Sequence, residues 1–210
     1  DPGAGFAGSS FTLTVNGPFS QAGGTYNGGT GTNDFNGSVT ISGGTFNATS
    51  STMSVAGSFN VTSGDFVPGT GLLIFDGGNG AGTIVVNAAG ETFNNVTFAT
   101  PFCSSCLNRV TLTSSFTVAG NLVINAGEFD ELVQADGTMR TISLLWNFTH
   151  TMGVFGNSTF NLEFSGGASQ TISQVQTAGV TTFSSQMRVN KSANFVTLVT
   201  NFTISSTGSL

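Results

Sequence analysis

A short sequence pattern recurs along this chain and constrains its fold more than any other feature. The pattern is G-x-Φ-x-Φ-x-x-G-x-F, where Φ is an apolar residue, with a weaker copy at the first of its positions. The copies begin at residues 17, 37, 57 and 120, so their spacings are 20, 20 and 63 residues, and the last is close to three periods of 21. Recurrence at such a spacing is typical of folds built from stacked units. We therefore expect a structural period of about 20 residues.

Within each copy the apolar residues lie two positions apart, as at Val39 and Ile41 or at Leu122 and Ile124. This alternation is the period of a β-strand with one buried face. A glycine follows, which tolerates the positive φ of a sharp corner, and then an aromatic residue such as Phe46. Each unit is thus predicted to contain two or three short strands joined by tight corners.

Strands this short bury their apolar face only by stacking on similar neighbours. The repeat therefore predicts an all-β fold, a parallel β-solenoid with coils of about 20 residues and an interior of aliphatic and Phe side chains. The 20 Phe beside one Tyr and one Trp fit a dry interior, because a buried phenol or indole needs a polar partner. An antiparallel β-sandwich or jelly roll is the alternative, since it also has closely spaced turns.

A longer repeat overlies the short one. Residues 73–78 resemble residues 162–167, and residues 110–118 resemble residues 196–204. The second copy stops where the next unit would open, so we expect this end to join flanking repeats or another copy head to tail. The predicted organisation is a single rod segment, residues 1–210, with short repeats at 9–70, a longer module at 71–158 and a truncated second copy at 159–210.

Residues 131–160 fit the repeat poorly. Apolar residues alternate there from Ile142 to Phe148, and Gly153 and Gly156 mark turns. This pattern predicts a longer strand within a bulge or an inserted hairpin.

Charged side chains are scarce. The chain carries 4 Lys and Arg against 10 Asp and Glu, with a formal net charge of −6. Four basic residues do not form the stripe that neutralises phosphates, so nucleic-acid binding is excluded. No apolar run approaches the roughly 20 residues of a membrane-spanning helix. Neutral Thr, Asn and Ser suit a surface on which each strand repeats the choice of its neighbour.

Over residues 33–130 and 160–210 the units follow the pattern F-x-G…T-I…T-F-x-N-V-T…V-T-L-x-x-x-F-T-V-x-G-N-L-x-I-x-x-G-x-F. This pattern resembles the repeats of very large secreted bacterial surface proteins, which are similar in style to filamentous-haemagglutinin and autotransporter-passenger β-solenoids. The resemblance implies a secreted, cell-surface location and a stalk, adhesin or filament role.

The expected function is that of a non-catalytic structural protein of the cell exterior. It would be a subunit of an extracellular filament or a rod segment of a long adhesin, with other copies of itself or flanking repeats as partners. A carbohydrate- or surface-binding adhesin module, with surface glycans as partners, is an alternative, and a polysaccharide-acting enzyme is a further one. We expect no cofactor.

Cys103 and Cys106 form a C-x-x-C motif. A zinc site would need a second cysteine pair or nearby histidines, and the sequence has neither. Leu107 follows Cys106 where covalent haem attachment requires His. In an extracellular setting we interpret the pair as a disulfide that pins a loop, with free thiols and a thiol-exchange pair as alternatives.

Glu128, Asp130 and Glu131, with Asp136 nearby, form the acidic cluster of the sequence. A glycosidase uses a pair of carboxylates, and Ca²⁺ binds carboxylates and carbonyls. No basic partner or aromatic sugar platform accompanies the cluster, so we interpret it as a solvated corner and keep those two sites as alternatives.

His150 stands outside any recognisable catalytic triad, which indicates a satisfied or exposed strand histidine. Thr12 and Thr14 belong to Thr-rich strands of the kind found in ice-binding solenoids, but no T-x-T recurs in register. Eight N-x-S/T sequons are candidate glycosylation sites, although many arise by chance in so Asn-rich a chain. They are Asn36, Asn47, Asn60, Asn95, Asn147, Asn157, Asn190 and Asn201.

Overall fold

The computed structural model describes residues 4–77, 83–99, 109–130, 139–156, 160–175 and 186–200. Within these ranges no helix is long and apolar enough to cross a membrane. In chain order the strands are β1 (Gly5–Ala7), β2 (Leu13–Val15), β3 (Phe19–Asn27), β4 (Asn33–Phe35), β5 (Val39–Asn47), β6 (Thr52–Val55), β7 (Phe59–Val61), β8 (Asp65–Val67), β9 (Leu72–Phe75), β10 (Thr83–Asn87), β11 (Thr92–Phe93), β12 (Asn95–Phe98), β13 (Arg109–Leu112), β14 (Phe116–Val118), β15 (Leu122–Asp130), β16 (Arg140–Leu144), β17 (Phe148–Gly156), β18 (Phe160–Phe164), β19 (Gln170–Gln174), β20 (Gln186–Val189) and β21 (Val196–Leu198).

These strands form three sheets, and every pairing between described strands is parallel. The first sheet has the order β2-β4-β6-β9-β12-β15-β17-β19-β21. The second has the order β1-β3-β5-β7-β10-β13, with β8 also paired to β5, and the third has the order β11-β14-β16-β18-β20. The molecule is therefore the predicted parallel β-solenoid, and the antiparallel sandwich is wrong.

Coils of about 20 residues are confirmed in the first part of the solenoid, where Asn33 pairs with Met53 and Ser54 bonds to Asp34, 20 residues earlier. Later coils are longer. Leu122 pairs with Phe148, and the amide of Asn121 bonds to Asn95, 26 residues earlier. The longer coils keep the same strands in register, so the additional residues lie in the connections.

Stacked aromatic rings run along the interior as predicted. Tyr26 lies between Phe6 and Phe46, with ring centroids 5.1 Å and 4.2 Å away, and Phe66 follows Phe46 at 5.7 Å. Tyr26, Phe46 and Phe66 are buried. Each such pair contributes roughly 0.5–1.5 kcal/mol beyond the area that it buries. The ladder thus stabilises the contact between successive coils.

The corner glycines of the repeat are only partly equivalent. Gly24 and Gly44 have φ values of 67° and 74°, as predicted for a sharp corner. Gly64, at the same place in the third copy, does not adopt a positive φ. Its strand β8 is separated from β7, whereas β3 and β5 run continuously through the corner.

The copy of the repeat at residue 120 lies on a different sheet from the copy at residue 57. Phe59 is in β7 of the second sheet, whereas Leu122 is in β15 of the first sheet. The interval of 63 residues is therefore not three equal coils. The longer repeat shifts in the same way, because Leu73 lies in the first sheet and Leu162 in the third.

Described residues within 131–160 belong to the solenoid, and the inserted hairpin is wrong. β16 and β17 each pair in parallel with strands of neighbouring coils. The predicted longer strand is interrupted between them, where Trp146 lies exposed at a bend. Trp146 was grouped with the buried residues because it continues their alternation, but the corner turns it outward.

Candidate assembly surfaces

A single row of paired residues runs through the first sheet from Leu13 to Leu198. Each member is the register partner of the next: Leu13, Asn33, Met53, Leu73, Val96, Leu122, Phe148, Ile172 and Leu198. Within the described ranges, β2 and β21 are the two outer strands of this sheet. We call the surface at β2, formed by Phe6, Leu13, Val15, Phe19, Gln21 and Tyr26, the β2 end. We call the surface at β21, formed by Val189, Phe195, Val196, Leu198 and Val199, the β21 end.

The β2 end is an apolar groove of about 450 Å³. Leu13 and Val15 of β2 and Phe19 of β3 line it. On one side β1 covers the second half of β3, where Phe6 stacks on Tyr26. The first half of β3 and all of β2 have no described strand on that side. The groove is therefore the space of part of one further coil.

Gln21 supplies the polar group of this groove. Its side chain is 7% exposed, and Nε2 donates to the carbonyl oxygens of Gly24 and Thr45 at 3.2 and 3.1 Å. Among the described residues its Oε1 finds no hydrogen-bond donor. A buried acceptor without a partner is costly, so this oxygen marks a place where an N–H or O–H group would be stabilising. The sequence already carried the signal, because Gln21 takes the place of Ile41 in the repeat.

At the β21 end, apolar side chains lie in solvent. Phe195 is 78% exposed, and Val189, Leu198 and Val199 are also exposed. At the opposite end of the sheet, Phe11 is 79% exposed. Large exposed apolar side chains that are concentrated in this way mark an interaction surface.

Lys191 holds the last described coils together. Its Nζ donates to the carbonyl oxygens of Gly166 and Ala168 and to Oε1 of Gln170, the last two at 2.7 Å. Gln170 is fully buried, and its Nε2 donates to the carbonyl oxygens of Leu144 and Trp146. The charge of Lys191 is therefore satisfied within the chain and does not face the β21 end as a free cation. Sequence reasoning missed this contact, because the partners are backbone carbonyls.

No family model, curated protein or solved structure was found to match the chain. The resemblance to secreted bacterial surface proteins consequently stays a prediction. The structure itself supplies the observations on which function can be argued.

Several residues singled out in the sequence fall outside the described ranges. These are Cys103 and Cys106 of the predicted disulfide, Glu131 and Asp136 of the acidic cluster, and the sequon residues Asn157 and Asn201. Glu128 and Asp130 lie in β15, where their backbones pair with Val154 and Gly156 of β17.

Three sequon asparagines bind the next coil through their side chains. Oδ1 of Asn60 accepts from Asn87, Oδ1 of Asn95 accepts from the amide of Asn121, and Oδ1 of Asn147 accepts from the amide of Thr171, at 2.8 to 2.9 Å. Asn47 is half-buried, whereas Asn36 and Asn190 are exposed. Glycosylation stays a prediction, and the structure gives this first group a stacking role.

His150 is buried in β17, in register between Ile124 and Gln174. It therefore belongs to the interior of the solenoid. Thr14 begins an outward row of mixed character, in which Asp34, Ser54 and Ile74 follow. The described residues contain no group of three or more His, Cys, Asp and Glu that could hold a metal ion.

Burial shifts three titratable groups. It raises the pKa of the Tyr26 hydroxyl to about 12. It also raises the pKa of the Asp76 carboxyl, a shift that the Asp76 amide opposes and the negative charge of Asp34 increases. Burial raises the pKa of the Glu91 carboxyl, against the amide of Phe66 and with the charge of Asp65. These carboxyls belong to different corners, and neither shift points to a paired acid and base.

Proposed function

We propose that the protein is a non-catalytic structural element of the cell exterior, a β-solenoid subunit of a filament or a rod segment of a long surface adhesin. The observation that carries the proposal is the first sheet, whose paired row continues from Leu13 to Leu198 and is open at both of its described ends. A sheet of nine parallel strands advances about 4.8 Å per strand, so it extends roughly 40 Å along the axis.

The composition supports this role. Apolar ladders fill the interior and neutral Ser, Thr and Asn side chains dominate the outward positions, which lets coils be added without stacking like charges. The described ionisable residues are dispersed, and one ion pair, between Arg188 and Glu163, has its charged atoms 3.9 Å apart.

The location is tested with antibodies against the folded chain, applied to intact and to permeabilised cells of the source organism. We expect label on intact cells, on material that projects from the surface in electron micrographs. Label that requires permeabilisation would contradict the proposal. Incubation with a panel of polysaccharides is expected to leave their length distribution unchanged, and cleavage would establish an enzyme instead.

A further inference from the structure

We propose that the β2 end of one copy of this chain receives the β21 end of a second copy, so that the first sheet continues from copy to copy with Leu198 in register with Leu13. This inference rests on the proposed rod function and adds the surface through which rods join.

The backbone groups at the two ends are complementary in this register. In β2, the amide of Leu13 bonds to Thr32 and the carbonyl of Val15 accepts from Asn36, so both residues face β4. A parallel strand directs alternate residues to opposite neighbours, so the backbone groups of Thr12 and Thr14 face the open edge.

At the other end, the carbonyl of Phe195 accepts from Gln170 and the amide of Val199 donates to Ile172, so these groups face β19. The N–H and C=O groups of Leu198 consequently face the open edge. When Leu198 lies beside Leu13 of the second copy, its amide meets the carbonyl of Thr12 and its carbonyl meets the amide of Thr14. One register thus satisfies both edges.

Side chains agree with the same register. Val196 lies two residues before Leu198, so it meets Phe11, which is 79% exposed in a single copy. Residues 4–33 and 192–200 contain no charged side chain, so the contact buries no unpaired charge. The remaining acceptor, Oε1 of Gln21, lies within the groove that the second copy covers. Because the two surfaces differ, the contact does not close on itself and generates a filament.

The test uses the full chain and its variant Thr14→Pro. Proline removes the Thr14 amide, which has no role in pairing with β4, and places its ring at the open edge. We expect the parent to associate with rising concentration in sedimentation equilibrium, and we expect Thr14→Pro to weaken association by at least about tenfold. Thr14→Ala keeps the amide and is the matched control, expected to associate like the parent. Circular dichroism and the unfolding midpoint check that both variants remain folded.

The register is tested by cross-linking in a Cys103→Ser, Cys106→Ser background. A short bismaleimide is added to a mixture of a Thr12→Cys variant and a Thr197→Cys variant, and we expect covalent dimers. Replacing Thr12→Cys with Thr40→Cys, in a neighbouring coil, is expected to abolish them. A parent that stays monomeric at every concentration, association that is insensitive to Thr14→Pro, or equal cross-linking from position 40 would each overturn the inference. None of these outcomes bears on whether the chain is at the cell surface, so the rod proposal is judged separately.

Discussion

The hydroxyl of Tyr26 donates a hydrogen bond to Oδ1 of Asn33 at 2.8 Å, and both side chains are buried. Asn33 takes an inward position that Leu13 and Met53 fill in the neighbouring coils. Its Nδ2 donates to the carbonyl oxygen of Gly28 at 3.2 Å. The phenol that the dry interior would otherwise exclude is thus accommodated by one polar residue in the apolar row.

This burial predicts an abnormal titration of the one tyrosine in the chain. Tyrosinate absorbance is expected to rise with a midpoint at about pH 12 in the folded protein and near 10.0 in denaturant. Between these values the unfolded chain has lost the proton and the folded chain has kept it, so stability falls as pH rises through this window and is fully present below it. A folded-state midpoint near 10 would contradict the buried hydroxyl.

Asp76 is predicted to destabilise the fold at neutral pH. Its folded pKa is raised above the ordinary value of 3.8, so the folded state binds the proton more tightly and stability rises as pH falls through the raised pKa. We expect Asp76→Asn to raise the free energy of unfolding at pH 7 by a few tenths to about 1 kcal/mol, because solvent screens a half-buried charge. Urea denaturation should show this gain shrinking below pH 3.8. A variant less stable than the parent at pH 7 would contradict the prediction.

Gly44 is predicted to be irreplaceable at its corner. Its φ is 74°, and a Cβ there would overlap the carbonyl oxygen of Gly24. Left-handed backbone costs roughly 1–2 kcal/mol for a residue with a side chain, so Gly44→Ala should lower the free energy of unfolding by at least about 2 kcal/mol. Gly23→Ala is the matched control, since no atom lies within 4 Å of a Cβ there. Equal losses in the two variants, measured by chemical denaturation, would contradict the prediction.

Lys191 is predicted to stabilise the coil closest to the β21 end. Lys191→Met removes the donor for the Gly166 and Ala168 carbonyls and for Gln170, with an expected loss of about 1–3 kcal/mol. Arg188→Met is the control. The Arg188 side chain is 55% exposed and its ion pair is long, so its loss should remain within about 0.5 kcal/mol. Hydrogen exchange should place the effect of Lys191→Met in β18 to β21, and protection unchanged there would count against it.

The alternation of apolar residues was sufficient to predict strands, their buried faces and parallel stacking. Val39 and Ile41 are fully buried, as are Leu122 and Ile124. It failed at Trp146 and within residues 131–160, because an alternating run does not show where the chain turns. The polar atoms at the β2 end were visible in the sequence as Gln21 in an apolar position, but their importance depended on which strand has no neighbour.

The sequence by itself determined the period of the first coils, the Phe-rich interior and the scarcity of charge at the surface, because these depend on residues close together in the chain. Only the tertiary structure decided which sheet each copy of the repeat joins. The motifs at residues 57 and 120 have the same alternation and nevertheless lie in different sheets. The reason is cumulative length. The sheet that a strand enters depends on every residue in the preceding connections, and one coil of 26 residues after coils of 20 moves all later motifs around the axis.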